Sequence, residues 1–141
     1  MIDLPDVNLW VTLVDQRHVH HSLAQAYWSE NGVKQFGFCR LTILGFLRVS
    51  TSPQATVDPK TFVSAWSIYQ EFRALPNIQF LAEPIQLETA FQTLTTQRAL
   101  PHRLWTDAYL AAFAIAGGHR LVSFDSDFAR FPGLNFLHLK P

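Results

Sequence analysis

Three aspartates, Asp6, Asp107 and Asp125, stand where a carboxylate in this chain can do chemistry: Asp6 and Asp125 each end a short apolar run, and Asp107 opens a long apolar segment. Carboxylates gathered in one cleft repel one another and rise in pKa unless a cation sits among them. Hard oxygen ligands of this kind suit magnesium or manganese. Such a cation stabilises charge on phosphorus and activates water for attack on a phosphodiester, so metal-assisted hydrolysis is the chemistry these acids point to. Each acid also has an ordinary structural use. Asp6 can cap a helix beginning at Val7, Asp107 can favour the positive end of its helix dipole, and Asp125-Ser126-Asp127 can form a solvated turn.

The elements must bring the three together. Apolar, β-branched or aromatic runs at 2–4, 78–81, 121–124 and 136–139, each flanked by Pro, Gly, Asn or Asp, predict strands. Helical spacing predicts helices over 22–29, 41–49 and 85–95. Asp58-Pro59 marks a helix start ahead of 61–73, and Pro76-Asn77 stops it. The segment 105–117 is apolar nearly all round, with Thr106 as its expected cap and Gly117-Gly118 as its exit. Strands alternating with helices predict a three-layer α/β/α domain with a central, mainly parallel sheet. Ligands in such sheets collect beyond the carboxyl ends of the strands. Asp6 and Asp125 end strands, and the helix opened by Asp107 leads back into the strand that Asp125 ends, so all three can reach one sheet edge. On spacing alone a metal hydrolase stands beside a nucleotide-binding or receiver-like α/β domain. The receiver reading lacks a lysine soon after the last acid-bearing strand, since Lys140 is almost the final residue.

The bulk numbers exclude several classes. A chain of 141 residues, 48% hydrophobic and 16% charged, has enough apolar side chains for one core, which argues for a single domain over 1–141 and against disorder. The first residues lack a secretion signal and no apolar run is long enough for a bilayer, so a soluble cytoplasmic protein is expected. Formal net charge is zero, so any contact with a polyanion has to be local. The lone Cys39, among Phe36, Phe38, Leu41 and Ile43, reads as a small buried hydrophobe. No Ser-His-Asp set, glycine-rich phosphate loop or zinc-type cysteine pattern competes with the acids.

Three ordered motifs carry a family likeness: Leu4-Pro5-Asp6-Val7-Asn8-Leu9-Trp10, then Trp105-Thr106-Asp107-Ala108-Tyr109-Leu110-Ala111, then Leu121-Val122-Ser123-Phe124-Asp125-Ser126-Asp127-Phe128. Together they resemble the PIN domains of VapC-type toxins, with His20-His21 and Gly45-Phe46-Leu47-Arg48 extending the likeness over the whole chain. The resemblance implies an endoribonuclease, the toxin of a toxin-antitoxin pair, dependent on Mg2+ or Mn2+, dimeric and restrained by a cognate antitoxin protein. It implies that Asp6, Asp107 and Asp125 hold the metal, that Asn8 and Ser123 orient the acids or water, and that Asp127 assists. Where many relatives carry a glutamate in a Thr-Glu-x-Gly-Phe run, this chain reads Thr42-Ile43-Leu44-Gly45-Phe46, which removes one negative charge from the expected cleft. A single cation, or a second recruited only with RNA, follows from that loss. The alternative is a PIN-like module that binds RNA or antitoxin without cutting.

Arg48, Arg40 and Arg103, with Arg98 and His102, are the candidates for a basic rim on RNA phosphates, Arg48 foremost. His18, His20 and His21 lack companion metal ligands at useful spacing and are expected on the surface or at a helix start, with RNA contact as the alternative. Trp28, Trp66, Tyr69 and Phe72 fall in helical patterns that suit a core or an oligomer surface. Trp10 and Trp105 lie beside two of the candidate acids.

Overall fold

Hydrophobic runs of about four residues are too short for helices, and with amphipathic segments between them they fold into a sheet covered on both faces. A computed structural model describes residues 1–30 and 34–141. Its strands are β1 (Ile2–Pro5), β2 (Gln35–Phe38), β3 (Ile78–Phe80), β4 (Arg120–Ser123) and β5 (Phe136–His138), in the order β3-β2-β1-β4-β5 with every pair parallel. The helices are α1 (Val7–Val14), α2 (His21–Ser29), α3 (Arg40–Ser50), α4 (Phe62–Ala74), α5 (Leu87–Thr96) and α6 (Trp105–Gly117), with short 3₁₀ helices at His102–Leu104 and Ser126–Arg130. The mainly parallel three-layer expectation holds. Among the described residues no helix is long and apolar enough to cross a membrane.

Alternation along the strands sorts the core into two halves. Leu4 and Leu121 face α5 and α6, in a cluster with Phe113, Phe128 and the alanines of α6. Val122, Phe36 and Phe38 face the other way, onto Leu9, Trp10, Ile43, Phe46 and Tyr69 of α1, α3 and α4. Trp10 is fully buried and stacks on Phe38 with ring centroids 3.9 Å apart. Each fully buried aromatic or aliphatic side chain here contributes about 1.5–3 kcal/mol over its exposed state. α6 is buried along Leu110–Ala114, which is why its sequence is apolar all round.

Three local expectations are corrected. β2 was not expected, because Gly37 interrupts its aromatic alternation. A Cβ at Gly37 would overlap the Leu81 side chain, so the glycine is a packing requirement of this strand. α4 begins at Phe62 with the Thr61 hydroxyl accepting from Ser64 N at 3.0 Å, whereas Asp58 accepts from Lys60 Nζ at 2.9 Å and caps nothing. Thr106 lies inside the first turn of α6, which continues from the 3₁₀ helix at His102–Leu104 with Leu104 at the cap position and no side-chain cap. The preceding turn already sets the direction of the helix, leaving no extended cap residue for a hydroxyl to occupy. The exit is as expected: Gly118 takes φ 69°, a left-handed conformation that glycine adopts without strain. His20 precedes α2 without a capping bond, and the His21 ring hydrogen-bonds Thr12 O at 2.8 Å, so these histidines do serve a helix start.

At the amino ends of the central strands, Asp3 is buried and opposite Arg120 in the β1–β4 register. Arg120 donates to both carboxylate oxygens, at 2.9 and 2.8 Å, Tyr27 donates its hydroxyl at 2.6 Å, and Lys34 lies 3.8 Å away. This paired, bidentate arrangement keeps a buried charge tolerable and ties β1 to β4.

Candidate active site

The register that sets Pro5 opposite Val122 makes the carboxyl ends of β1 and β4 level. β1 is also where the winding reverses, with β2 and β3 on one side and β4 and β5 on the other. Side chains just past this switch point share one crevice. Asp6 follows β1, Asp125 follows β4, and α6 starts at the same edge with Asp107 in its first turn.

Asp107, Asp125 and Asp127 each offer a carboxylate oxygen within 4.8 Å of the others. Asp6 stands outside that group of three, yet its charge is the largest carboxylate contribution to the raised pKa of Asp107. Its oxygens are held in place. Oδ1 accepts from Val7 N at 2.8 Å, so Asp6 is also the cap of α1, and Oδ2 accepts from the Ser123 hydroxyl at 2.9 Å. Burial pushes the Asp6 carboxyl up, against the lowering effect of these two bonds. Desolvation first, and then the charges of Asp6, Asp125 and Asp127, push Asp107 up to about 6. Asp127 is held below the ordinary range by Arg103, whose NH1 donates to it at 2.9 Å, and by Arg130 at 3.3 Å.

Ser123 is the hub of the polar contacts. Fully buried at the end of β4, it donates to Asp6 and accepts from Asn8 Nδ2 at 3.1 Å and from Asp125 N at 3.0 Å. Asp125 Oδ1 in turn accepts from Asp127 N at 2.9 Å. Among the described residues Asn8 Oδ1 is buried and has no hydrogen-bond partner. An all-oxygen donor set, an excess of negative charge and a spare buried acceptor suit a hard divalent cation.

The other candidates separate clearly. Ile43 is 2% exposed in the α1–α3 core, and the Thr42 hydroxyl is used within the start of α3, bonded to Cys39 N and O at 2.9 and 3.0 Å. Neither supplies a carboxylate to the crevice. Arg40 is at the first position of α3, on the site's edge of the sheet, with its guanidinium 4.9 Å from the centroid of the Phe80 ring. Arg48 lies in the last turn of the same helix, about 12 Å further along at 1.5 Å per residue. Arg103 flanks the acids directly. Arg130 was not among the sequence candidates, although its spacing of three from Asp127 was a visible signal. Trp10 is core, whereas Trp105 is 58% exposed.

Comparison with known proteins identifies the family of the chain and its fold. The sequence model of the family described as PIN domain matches residues 4–134. The chain is 34% identical over 137 residues to Ribonuclease VapC41 of Mycobacterium tuberculosis, covering 93% of this chain and 94% of that protein. It is 33% identical over 136 residues to Ribonuclease VapC33 of the same organism, covering 94% of each. Among solved structures, VapBC2 from Rickettsia felis bound to a promoter DNA fragment superposes with a TM-score of 0.71 at 17% identity, over 99% of this chain and 100% of that one. Mycobacterium tuberculosis VapC20, a Sarcin-Ricin loop cleaving toxin, superposes with a TM-score of 0.69 at 15% identity, over 94% and 98%. These two structures share the fold.

Proposed function

The chain belongs to the PIN-domain family, and from that membership we propose that it is a VapC-type endoribonuclease, the cytoplasmic toxin of a type II toxin-antitoxin pair. The observation that carries the proposal is the convergence of Asp107, Asp125 and Asp127 to within 4.8 Å beside Asp6 at the strand ends. Kinship with proteins named ribonucleases supplies the substrate class.

Asp6, Asp107 and Asp125, assisted by Asp127, are the ligands we assign to Mg2+ or Mn2+. The bound ion supplies Lewis-acid stabilisation of the phosphate and activation of the attacking water. The rest is the work of the protein. Ser123 directs Asp6 and, through the backbone of Asp125, fixes where the second strand end presents its carboxylate. Asn8 is anchored to Ser123 through its amide nitrogen and keeps its carbonyl oxygen without a partner among the described residues. Arg103 and Arg130 keep Asp127 ionised and offer their remaining N–H groups to RNA phosphates, with Arg40 further along the rim. With Ile43 in the core, the crevice has one carboxylate fewer than the usual family set, which favours one resident cation over two.

The partners we assign are a cognate antitoxin and a second copy of the chain. Phe62 and Val63, each 78% exposed, and Trp66 form an exposed apolar face at the start of α4 suited to such contacts.

Purified protein, freed of antitoxin, is incubated with total RNA and Mg2+ or Mn2+, alongside EDTA and the variants Asp6→Asn and Asp107→Asn. Cleavage by wild type alone, lost in EDTA and in both variants, is the expected result. Folded wild type that cuts no RNA in either metal overturns the enzyme reading and leaves the RNA- or antitoxin-binding module, with Ile43 as the reason.

A further inference from the structure

We propose that the cavity beside Trp105 is a nucleotide subsite, in which a single-stranded substrate lays one unpaired base against the Trp105 ring and an adjoining phosphate on Arg98. The proposal deepens the ribonuclease reading and rests on it. Trp105 is 58% exposed at the start of α6, while Trp10, the other tryptophan near a candidate acid, is fully buried. Trp105 is one of several large apolar side chains this chain exposes, and it is the one that lines a cavity beside the acids, where a stacking partner would cover it. A T-shaped contact with Phe91, centroids 5.8 Å apart, holds the ring in one orientation, and among the described residues no aromatic ring stacks on it.

The cavity measures about 300 Å³, and Leu100, Pro101, Leu104, His102 and Arg98 line it with Trp105. Apolar walls, one exposed indole and one cation at the rim match a base with its phosphate better than they match a purely apolar ligand. Among the described residues Arg98 pairs with no carboxylate. Its guanidinium donates to the Arg130 carbonyl, which leaves other N–H groups for phosphate. That tether also locates the cavity relative to the acids, because Arg130 pairs with Asp127 of the acidic cluster. The route therefore runs from the cavity through Arg98 and Arg130 to the acids. Trp105 and Asp107 are two residues apart on one helix and point to different sides. The stacked base consequently belongs to a nucleotide outside the scissile step. In a chain of zero net charge, such a local contact supplies affinity that the overall field does not.

The test is a titration of metal-free protein in EDTA with a uridine trinucleotide, an adenosine trinucleotide and a trimer lacking its central base. Binding is followed by NMR on the Trp105 indole N–H, assigned from Trp105→Phe. The expected result is saturable binding that shifts this resonance and weakens without the central base. Trp105→Leu should weaken it roughly tenfold or more, Trp105→Phe should retain most of it, and stacking should tolerate either base. Arg98→Gln should weaken binding and flatten its salt dependence by about 0.7 in log–log slope. Equal affinity in Trp105→Leu, equal affinity for the abasic trimer, or no binding at millimolar trinucleotide overturns the subsite. Trinucleotide binding without RNA cleavage in Mg2+ or Mn2+ would sink the nuclease reading and leave the subsite standing. Cleavage with no effect of Trp105→Leu on binding or KM would do the reverse.

Discussion

Removing the negative charge of Asp107 should stabilise the metal-free protein. This carboxylate accepts no hydrogen bond among the described residues, so Asp107→Asn sacrifices no partner and relieves repulsion from Asp6, Asp125 and Asp127. The rise from 3.8 to about 6 corresponds to about 3 kcal/mol of disfavoured ionisation at 1.36 kcal/mol per pH unit. Asp107 is only half-buried, so solvent screening reduces the recoverable amount to roughly 1 kcal/mol. For a domain of this length that is a Tm gain of about 3–5 °C. The sign follows from linkage: between pH ~4 and ~6 the folded state holds the Asp107 proton more tightly than the unfolded chain, so wild type loses stability as pH rises through that window. The gap between variant and wild type is therefore full above pH ~6 and closes towards pH ~4. Calorimetry in EDTA at pH 7.5 and pH 4.5 measures it. Mn2+ should reverse the order at pH 7.5, because ligand binding stabilises only the chain that holds the ion well. A variant less stable than wild type in EDTA at pH 7.5, or a gap unchanged by pH, would refute the assumption that mutual repulsion and desolvation strain this crevice.

Ser123→Ala removes the donor to Asp6 and the acceptor for Asn8 and Asp125 N, and should cost about 1–3 kcal/mol in urea denaturation. The same variant should lower metal affinity or RNA cleavage by roughly 10- to 100-fold, read by manganese titration and initial rates. Arg120→Leu removes both guanidinium hydrogen bonds to the buried Asp3 carboxylate and should cost about 3 kcal/mol at pH 7; an unchanged urea midpoint would rule out the clamp. Ile43→Glu puts a carboxylate into the α1–α3 core and should destabilise the chain by about 3 kcal/mol or more in EDTA. In an active enzyme it should alter manganese stoichiometry more than turnover, whereas a sharp gain in cleavage would identify the natural chain as a binding module.

What was legible in the sequence followed from local rules. Asp6, Asp107 and Asp125 could be placed at one sheet edge because strand ends, a helix start and a diglycine exit are all written within a few neighbouring residues. β2 was not legible, since Gly37 answers to Leu81, more than forty residues away. The Asp3–Arg120 clamp was invisible for the same reason: two ordinary charged residues 117 positions apart meet only through the β1–β4 register. Likewise, Trp10 and Trp105 both sit near candidate acids, and only packing shows that one fills the core and the other meets solvent. Asp127 was expected to assist; the structure sets a carboxylate oxygen of it within 4.8 Å of those of Asp107 and Asp125, while Asp6 stands outside that group with both oxygens engaged.

The central strand β1 ends at Pro5, yet its neighbour β4 is built from residues 120–123, more than a hundred positions later in synthesis. A nascent chain emerging from the ribosome therefore carries Asp6 long before it has Ser123 to orient it or Asp125 to face it. Pairing at such sequence separation closes late in folding, after the local helices. A chain halted anywhere before residue 120 can form helical pieces but no crevice. Order of synthesis thus leaves a copy halted before residue 120 without the assembled acids.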